Sequence, residues 1–276
     1  MLIAQLSDTH IKSHGALAYG KIDTAAALRA AIQHINDLRP IPDLVLLTGD
    51  LTDNGTREQM DHCCELLHAL IPPLFPIPGN HDSGANFADA FPKAAECAWP
   101  GGFSYMIEEF PVKICMLDSS VPEKPYGALH AECLARLEQV LDTNPDAPTL
   151  IAVHHPPIDV GIRHMDQQRL ETVDELRRII HHRPQVLAIL CGHIHRTILG
   201  MLGMTPVVVA PSPAHAVTLD FNPSGPPTFI VEPPGILIHK WNPDPAPFGQ
   251  LMTHTSYIGD FGSPHPFFDA AGNLIG

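Results

Sequence analysis

Five short runs of Asp, His and Asn residues lie within the first 195 residues of the chain, and side chains of these types bind metal ions. The runs are Asp8-Thr9-His10, Gly49-Asp50, Gly79-Asn80-His81-Asp82, His154-His155 and Gly192-His193-Ile194-His195. Oxygen and imidazole donors without thiolates suit Zn, Fe, Mn or Co, whereas Ca or Mg alone would not require so many imidazoles. Residues two apart at the end of a strand point the same way, so Asp8 and His10 can share one ion. By the same spacing, His193 and His195 can reach two neighbouring ions if the chain turns between them.

Each run follows an apolar segment that has the length and composition of a buried strand. These segments cover residues 2–7, 44–47, 74–77, 150–153 and 186–190. Amphipathic helical patterns separate them; Asp23 is a candidate N-cap of one helix, and Thr56 with Gln59 forms a capping box at the start of another. Strands that alternate with helices predict an α/β fold, in which the carboxyl ends of the strands gather around one crevice. That topology would bring the five runs together.

The composition is that of a folded globular protein with an excess of acidic residues. Hydrophobic residues make up 45% of the 276-residue chain, and 16 Lys+Arg against 30 Asp+Glu give a net charge of −14. This charge argues against general nucleic-acid binding, which needs basic side chains to neutralise phosphates. The longest uncharged stretch, residues 198–219, is interrupted by five Gly and Pro residues. It is therefore interpreted as strands and loops, and no membrane span is expected.

The cysteines and the N-terminus predict a cytoplasmic protein. The six Cys residues form no C-x-x-C pair, and several lie in apolar runs. We interpret them as buried, reduced thiols, the usual state of cysteine in the cytoplasm. The apolar segment before Asp8 is too short for the core of a signal peptide, so no export is implied.

The sequence changes character after about residue 200. The last 76 residues contain 13 of the 29 prolines, together with apolar runs at 206–210, 228–231 and 235–241, but no clear helical pattern. We divide the chain into a core, residues 1–210, and a C-terminal segment, residues 211–276. The segment is expected to supply closing strands and proline-rich loops, either within the same domain or as an appendage. Surface loops are the simplest role for its prolines, and a lid over the crevice or a contact in a homo-oligomer are the alternatives.

Taken in order, the five runs resemble the signature of the calcineurin-like binuclear metallophosphoesterases. Ser7-Asp8-Thr9-His10, Tyr19-Gly20, residues 117–120 and His154-His155-Pro156-Pro157 make the first 200 residues most similar to bacterial glycerophosphodiesterases and class III cyclic-nucleotide phosphodiesterases. The resemblance weakens from about Pro211. It implies a β-sandwich flanked by helices (αββα) with a proline-rich, β-containing C-terminal extension. It also implies two divalent or trivalent transition-metal ions, drawn from Fe, Mn, Zn and Co.

The resemblance assigns the metal ligands residue by residue. The first ion would be held by Asp8, His10, Asp50 and His195, and the second by Asn80, His154 and His193, with Asp50 bridging both. A bridging carboxylate can keep two ions about 3.5–4 Å apart, the spacing that clamps the attacking and leaving oxygens of a displacement at phosphorus. Because the second site has a neutral amide in place of a second carboxylate, we expect its ion to bind more weakly.

The remaining roles concern the substrate. A hydroxide held by the metals would attack phosphorus, with His81 as electrostatic stabiliser or general acid and Asp82 as a candidate to orient it. His81, Asn80 and Tyr19 are the candidate substrate-binding residues, whereas His155 is expected to shape the surroundings of the ligands.

The expected substrate class follows from positions at which this chain differs from other members of the superfamily that it resembles. Serine/threonine protein phosphatases of the superfamily carry Arg shortly after the Gly-Asp run and Glu at the position of Asp82, whereas this chain continues from Asp50 with residues 51–54, Leu-Thr-Asp-Asn. A phosphomonoester dianion gains more from a bidentate Arg than a diester does. We therefore expect an enzyme that hydrolyses small phosphodiesters, either cyclic nucleotides or glycerophosphodiesters. The alternatives are a nuclease, a phosphomonoesterase and, least supported because no ligand is missing, a non-catalytic binding scaffold.

Overall fold

A computed structural model describes residues 1–275 of the chain. Its helices and strands are β1 (Leu2–Leu6), α1 (Thr24–Asp37), β2 (Leu44–Thr48), α2 (Arg57–Leu67), β3 (Leu74–Ile77), α3 (Gly84–Ala90), α4 (Pro92–Glu96), β4 (Tyr105–Ile107), β5 (Lys113–Leu117), α5 (Ala131–Thr143), β6 (Thr149–Val153), α6 (Arg163–Asp166), α7 (Val173–Ile180), β7 (Val186–Cys191), β8 (Ile198–Leu202), β9 (Thr205–Val209), β10 (Ala216–Val217), β11 (Phe229–Ile230), β12 (Gly235–Asn242) and β13 (Gln250–Tyr257).

The strands form two main sheets. The first has the order β13-β12-β1-β2-β3, and the second has the order β4-β5-β6-β7-β9-β8. In the first sheet β1, β2 and β3 are parallel, and in the second β5, β6, β7 and β9 are parallel. Because parallel strands end on the same side, both sheets direct the carboxyl ends of their central strands to one edge of the molecule.

The two sheets pack face to face, and each carries helices on its outer face. Alternate residues of the second sheet show this: Met116 and Leu150 join the core shared with the first sheet, whereas Leu117 and Ile151 join the core under α5 and α7. This alternation is the period of a strand buried on both sides. Helices α1 and α2 bury their apolar stripes against the first sheet. The predicted αββα architecture is therefore confirmed.

The helix starts follow the capping residues that the sequence indicates, with one difference. The Asp23 carboxylate accepts the Ala26 N–H at 2.8 Å, and the Thr56 hydroxyl accepts the Gln59 N–H at 3.3 Å. The Gln59 side chain accepts the Asn54 N–H instead of returning to Thr56, so the predicted capping box is only half formed. The bond from Gln59 still gives the Asn54 N–H a partner, just as a capping bond gives a partner to an unpaired N–H at a helix start.

Part of the C-terminal segment is built into the first sheet. Strand β12 pairs antiparallel with β1, and β13 pairs antiparallel with β12 and forms the edge. The short β10–β11 hairpin lies outside both main sheets. The closing strands expected after residue 211 thus complete the sheet that carries Asp8, while Gly276 at the end of the segment lies outside the described residues.

Two smaller expectations can be compared with the structure. Cys63, Cys115, Cys133 and Cys191 are buried, and the cysteines are unpaired throughout, but Cys97 is exposed, contrary to the expectation of six buried thiols. Within residues 1–275, no helix combines the length and the apolar character needed to cross a membrane.

Candidate metal centre

The first predicted set of ligands converges at the carboxyl ends of β1, β2 and β7. The donor atoms of Asp8, His10, Asp50 and His195 all lie within 4.8 Å of one another, and all four residues are buried. The Nε2 atoms of His10 and His195 are 3.1 Å apart, and His195 Nε2 is 3.4 Å from Asp8 Oδ1. Two imidazole nitrogens and two carboxylates directed at one point form a cation site with hard and borderline donors.

The second predicted set converges beside the first and shares Asp50 with it. His154 Nε2 lies 3.3 Å from Asp50 Oδ2 and 3.2 Å from Asn80 Oδ1. The donor nitrogen of His193 is within 4.8 Å of that of His154. Asp50 Oδ2 is also 3.6 Å from His10 Nε2, so a single carboxylate oxygen lies between the two clusters. The seven residues therefore meet in one place, as the strand topology predicts.

The backbone at these positions is strained. Asp8, His10, Asp50, His193 and His195 all have φ between 44° and 72°, the left-handed region. Such a conformation costs a non-glycine residue about 1–2 kcal/mol, and it clusters at functional sites where the surrounding fold enforces it. Two adjoining glycines permit the close packing: a Cβ at Gly49 would lie 2.3 Å from His154 Nδ1, and one at Gly192 would lie 2.0 Å from Ser7 Oγ. A side chain at either position would therefore collide with a ligand or with its neighbour in the chain.

The electrostatics of the cluster favour positive charge at its centre. Burial, with the nearby Asp50 charge, raises the pKa of Asp8 to about 6. Burial also acts to raise the pKa of Asp50, but His154 and His81 outweigh it and hold that pKa well below its usual range. The pKa of His154 rises to about 9, because the Asp50 charge outweighs the effect of burial. Two buried carboxylates this close together need a compensating cation.

The remaining imidazoles are held in the form that binds metal. Burial lowers the pKa of His193 to about 3 and that of His195 well below its usual range, so both are neutral at pH 7. His193 Nε2 is buried and has no hydrogen-bond partner within residues 1–275. His154 Nδ1 donates to the Thr48 carbonyl at 2.8 Å, which leaves Nε2 to face Asp50 and Asn80. His193 and His195 are thus neutral imidazoles, and His154 has one nitrogen fixed by the protein; both features fit a metal centre.

His81 lies at the open side of the cluster and is held by Asp53, a residue that the sequence did not single out. His81 Nδ1 donates to the Asp53 carbonyl at 2.8 Å, and the His81 N–H donates to Asp50 Oδ1 at 2.9 Å. The Asp53 carboxylate lies 3.6 Å from His10 Nδ1 and 2.7 Å from Lys12 Nζ. Because a carbonyl only accepts, Nδ1 carries a proton, and only the imidazolium form has an N–H at Nε2 to give to an oxygen.

The expected contact between Asp82 and His81 is not made. The Asp82 carboxylate accepts the N–H groups of Gly79, Leu51 and Thr52 at 2.9–3.0 Å, and the Thr52 hydroxyl at 2.8 Å. The carboxylate links its own loop to the loop after β2, since three backbone donors there need an acceptor. Asp82 therefore braces the loops that carry Asp50 and Asn80 and does not orient His81.

His155 has the supporting position that its sequence context predicts. Its Nδ1 lies 2.8 Å from Ser119 Oγ and its Nε2 lies 3.2 Å from the Pro125 carbonyl. Since both ring nitrogens already have partners, His155 is not free to bind a metal, although it is close to His154 and His193.

A cavity of about 290 Å³ opens over the cluster. Its wall includes Tyr19, whose ring stacks on Phe229 of β11 with centroids 4.5 Å apart and lies edge-on to His215 at 5.3 Å. The sequence pattern indicated Tyr19 but not His215, His164 or Phe229, which lie in segments without a strand-end signature. Asn80 and His81 also line the cavity, so the three predicted substrate residues share one space.

The two-sheet fold, with paired donor clusters suited to two metal ions, is that of a metallophosphoesterase. The chain belongs to the calcineurin-like phosphoesterase family, which matches residues 1–197. A solved structure of a dimetal phosphatase from Danio rerio shares the fold, with a TM-score of 0.62, 13% identity, and coverage of 92% of this chain and 98% of the other.

Three similar relatives are bacterial phosphodiesterases. A probable glycerophosphodiester phosphodiesterase GpdQ of Arcobacter nitrofigilis is 44% identical over 276 residues, the full length of both chains. A 3′,5′-cyclic-nucleotide phosphodiesterase of Nostoc sp. is 35% identical and covers 70% of this chain and 71% of its own. The cyclic AMP phosphodiesterase CpdA of Escherichia coli K12 is 31% identical, with 70% and 69% covered. The alignment with the first of these runs through the C-terminal segment, whereas the other two alignments each cover 70% of this chain.

Proposed function

We propose that this protein hydrolyses small phosphodiesters at a pair of transition-metal ions. The observation that carries the proposal is the convergence of seven donor residues from five separate strand ends on two adjoining points that share Asp50. When bound, two such ions lower the pKa of a coordinated water and neutralise the phosphoryl oxygens. The predicted ligand roles of Asp8, His10, Asp50 and His195 at one ion, and of Asn80, His154 and His193 with Asp50 at the other, belong to this proposal. Fe, Mn, Zn and Co are the metals that the donor set suits.

The protein's own groups supply orientation and proton transfer. His81 faces the cavity and, as an imidazolium, donates from Nε2 to a phosphoryl or leaving oxygen. Its ring is fixed by the Asp53 carbonyl, so the donor direction is set before substrate binds. Tyr19 and Phe229 form an apolar wall for one alcohol arm of the diester.

The lining of the cavity favours a diester over a monoester. Among the described residues, no Lys or Arg lines the 290 Å³ space above the clusters. Lys12 is directed at Asp53 instead. A monoester dianion would leave one extra charge without a cationic partner, and a diester would not. The relatives named for glycerophosphodiesters and cyclic nucleotides support these two substrate types.

A paired hydrolysis assay tests the proposal. Metal-free protein is reloaded with Mn, and rates are measured on bis(p-nitrophenyl) phosphate and on p-nitrophenyl phosphate. We expect metal-dependent hydrolysis with the diester preferred, and a loss of about 10²-fold in His81→Asn. His68→Asn, an exposed histidine at the end of α2, is the matched control and should retain wild-type rates. A preference for the monoester, or activity confined to oligonucleotides, would instead establish a phosphomonoesterase or a nuclease.

The proposal includes assembly through the C-terminal segment and a cytoplasmic location. Phe261, Phe267 and Phe268 are between 58% and 78% exposed, and burial against a second copy would remove that apolar surface from water. We expect Phe267→Ser with Phe268→Ser to reduce the mass measured by light scattering, while Leu199→Ser on the β8 edge leaves it unchanged. Buried, unpaired cysteines support the location, which cell fractionation would check.

A further inference from the structure

A glutamine side chain lies at full burial in the middle of the first sheet, directly behind the metal centre. Gln5 is in β1, between β12 and β2, and is completely inaccessible to solvent. An unpaired amide buried in this way would cost about 1–3 kcal/mol. A buried polar side chain within an apolar strand therefore needs a set of partners, and their positions show what the side chain does.

All of the amide's strong contacts go to three different strands. Gln5 Nε2 donates to the Thr48 hydroxyl of β2 at 3.0 Å and to the Cys191 carbonyl of β7 at 2.9 Å. Gln5 Oε1 accepts from His239 Nε2 of β12 at 3.0 Å. The Cys191 carbonyl can only accept, so it fixes which end of the amide is the nitrogen. The side chain thus joins the first sheet to the second across the interior of the sandwich.

His239, at the other end of this hydrogen-bond network, also has partners for both ring nitrogens. Because Gln5 Oε1 can only accept, His239 carries its proton on Nε2, and its Nδ1 accepts from the Thr253 hydroxyl of β13 at 2.8 Å. His239 is fully buried. A chain of hydrogen bonds therefore runs from the edge strand β13 through His239 and Gln5 to the ends of β2 and β7.

Those two strand ends carry ligands of the second cluster. Thr48 precedes Gly49-Asp50, and its carbonyl accepts from His154 Nδ1 at 2.8 Å. Cys191 precedes Gly192-His193, and His193 is the donor of the second cluster contributed by β7. One amide thus bridges the two sheets close to the strand ends that carry Asp50 and His193.

We propose that Gln5, held in place by His239, is a positioning residue for the second metal ion. This inference rests on the two-ion centre of the proposed function. One ligand of the first cluster, His195, also follows β7, but the other three come from the ends of β1 and β2. Because backbone hydrogen bonds tie those two ends together, we expect the first cluster to depend less on the network. Loss of the Gln5 contacts frees β7, together with its neighbour β6, to shift against β2, and this shift moves His193 and His154 relative to Asp50.

The test measures metal affinity at each site. Apo-protein is titrated with Co²⁺, followed by visible absorption and calorimetry, for wild type, Gln5→Met and Ile3→Val. Methionine keeps the volume and removes the hydrogen bonds, whereas Ile3→Val perturbs the same buried strand without touching the network. For Gln5→Met we expect the second ion to bind about 10-fold or more weakly, with an altered absorption band, and the first ion to change by less than about threefold. Ile3→Val should bind both ions as wild type.

A double variant separates positioning from stability. Replacing both partners of a buried hydrogen bond by apolar groups is often nearly neutral for folding. Gln5→Met with His239→Leu should therefore regain melting temperature relative to Gln5→Met while the second ion stays weakly bound. Recovery of affinity together with melting temperature would show a merely structural role and overturn the proposal. Thr253→Val, which cuts only the outer bond, should weaken the second ion to a smaller degree, and Thr253→Ser should restore it.

The outcomes distinguish this inference from the proposed function. A wild-type protein that takes up two ions, with Gln5→Met unchanged at both, would overturn the positioning role alone. A wild-type protein that takes up only one ion would overturn the two-ion function and this inference with it.

Discussion

The two donor clusters share Asp50 and lie side by side, but they differ in charge and in how they are enclosed. The first combines two buried carboxylates with two imidazoles, and a third carboxylate, Asp53, lies 3.6 Å behind His10. The second has Asp50 as its only carboxylate, together with two imidazoles and the partly exposed amide of Asn80. Negative charge and burial both strengthen cation binding. We therefore expect the first site to retain its ion and the second to exchange its ion more easily.

The largest effect on metal binding and hydrolysis is expected at Asp50, which both clusters share. Asp50→Asn removes the only carboxylate that faces both, so we expect both ions to bind more weakly and diester hydrolysis to fall by about 10³-fold. The measurement is metal content after gel filtration together with the rate on bis(p-nitrophenyl) phosphate. Asp61→Asn, an exposed acid on α2, removes the same formal charge and should leave both unchanged. If Asp50→Asn lost only one ion, the shared role of this carboxylate would be refuted.

A smaller effect, limited to binding of the first ion, is expected when Asp53 is replaced. Burial acts to raise its pKa, but His10 and Lys12 outweigh it and lower the pKa to about 2, so the carboxylate is charged at pH 7. Asp53→Asn removes the charge behind His10 and should weaken the first ion by about 10- to 100-fold. The second ion should be unaffected in the same calorimetric titration. Equal weakening at both sites would contradict the division between the clusters.

Tighter binding of the second ion is expected when the two clusters are made more alike in charge. In wild type the Mn²⁺ titration should show two steps, with the second ion weaker. Asn80→Asp adds a carboxylate to the second cluster, and we expect it to tighten that ion by about tenfold and bring the steps together. Two equally tight steps in wild type would show that the amide is not the cause of any asymmetry.

The last effect concerns the stability of the metal-free fold and sets the pH range in which the two clusters can be compared. Burial lowers the pKa of His239 to about 3, whereas an unfolded imidazole titrates near 6.5. Between these values only the unfolded chain binds the proton, so stability falls as the pH drops below about 6.5. The slope is up to about 1.4 kcal/mol per pH unit. Urea unfolding of metal-free protein at pH 7.5 and 5.0 should show a smaller loss for His239→Gln than for wild type. Equal losses would place the acid sensitivity in other buried histidines.

The sequence predicted the convergence of the ligands because the rule that governs it is topological. Parallel strands must end on one side, and the Asp8, Asp50 and His193 runs all follow strongly apolar segments. In the structure His193 lies with His154, and His195 lies with Asp8, His10 and Asp50. The same rule did not predict β13. Residues 250–257 are mostly polar, because this strand is an edge with one face in solvent.

The errors arose where contacts depend on three-dimensional register. Asp82 follows His81 directly in the chain, yet the turn directs its carboxylate to Gly79, Leu51 and Thr52. Gln5 stands in an apolar run, and only the pairing of β1 with β12 and the packing of β7 reveal its partners. Proximity in sequence is a weak guide to side-chain contacts in loops, and a lone polar residue in a strand has no distinguishing pattern.

The left-handed backbone at five of the donor residues has a consequence for engineering. Each of these positions would be more relaxed as glycine, which adopts positive φ without penalty. At Asp8 and Asp50, however, glycine would also remove the acceptor of a backbone N–H, from His193 and His81 respectively. An engineer who relaxes this backbone therefore loses hydrogen bonds and the enzyme's chemistry together.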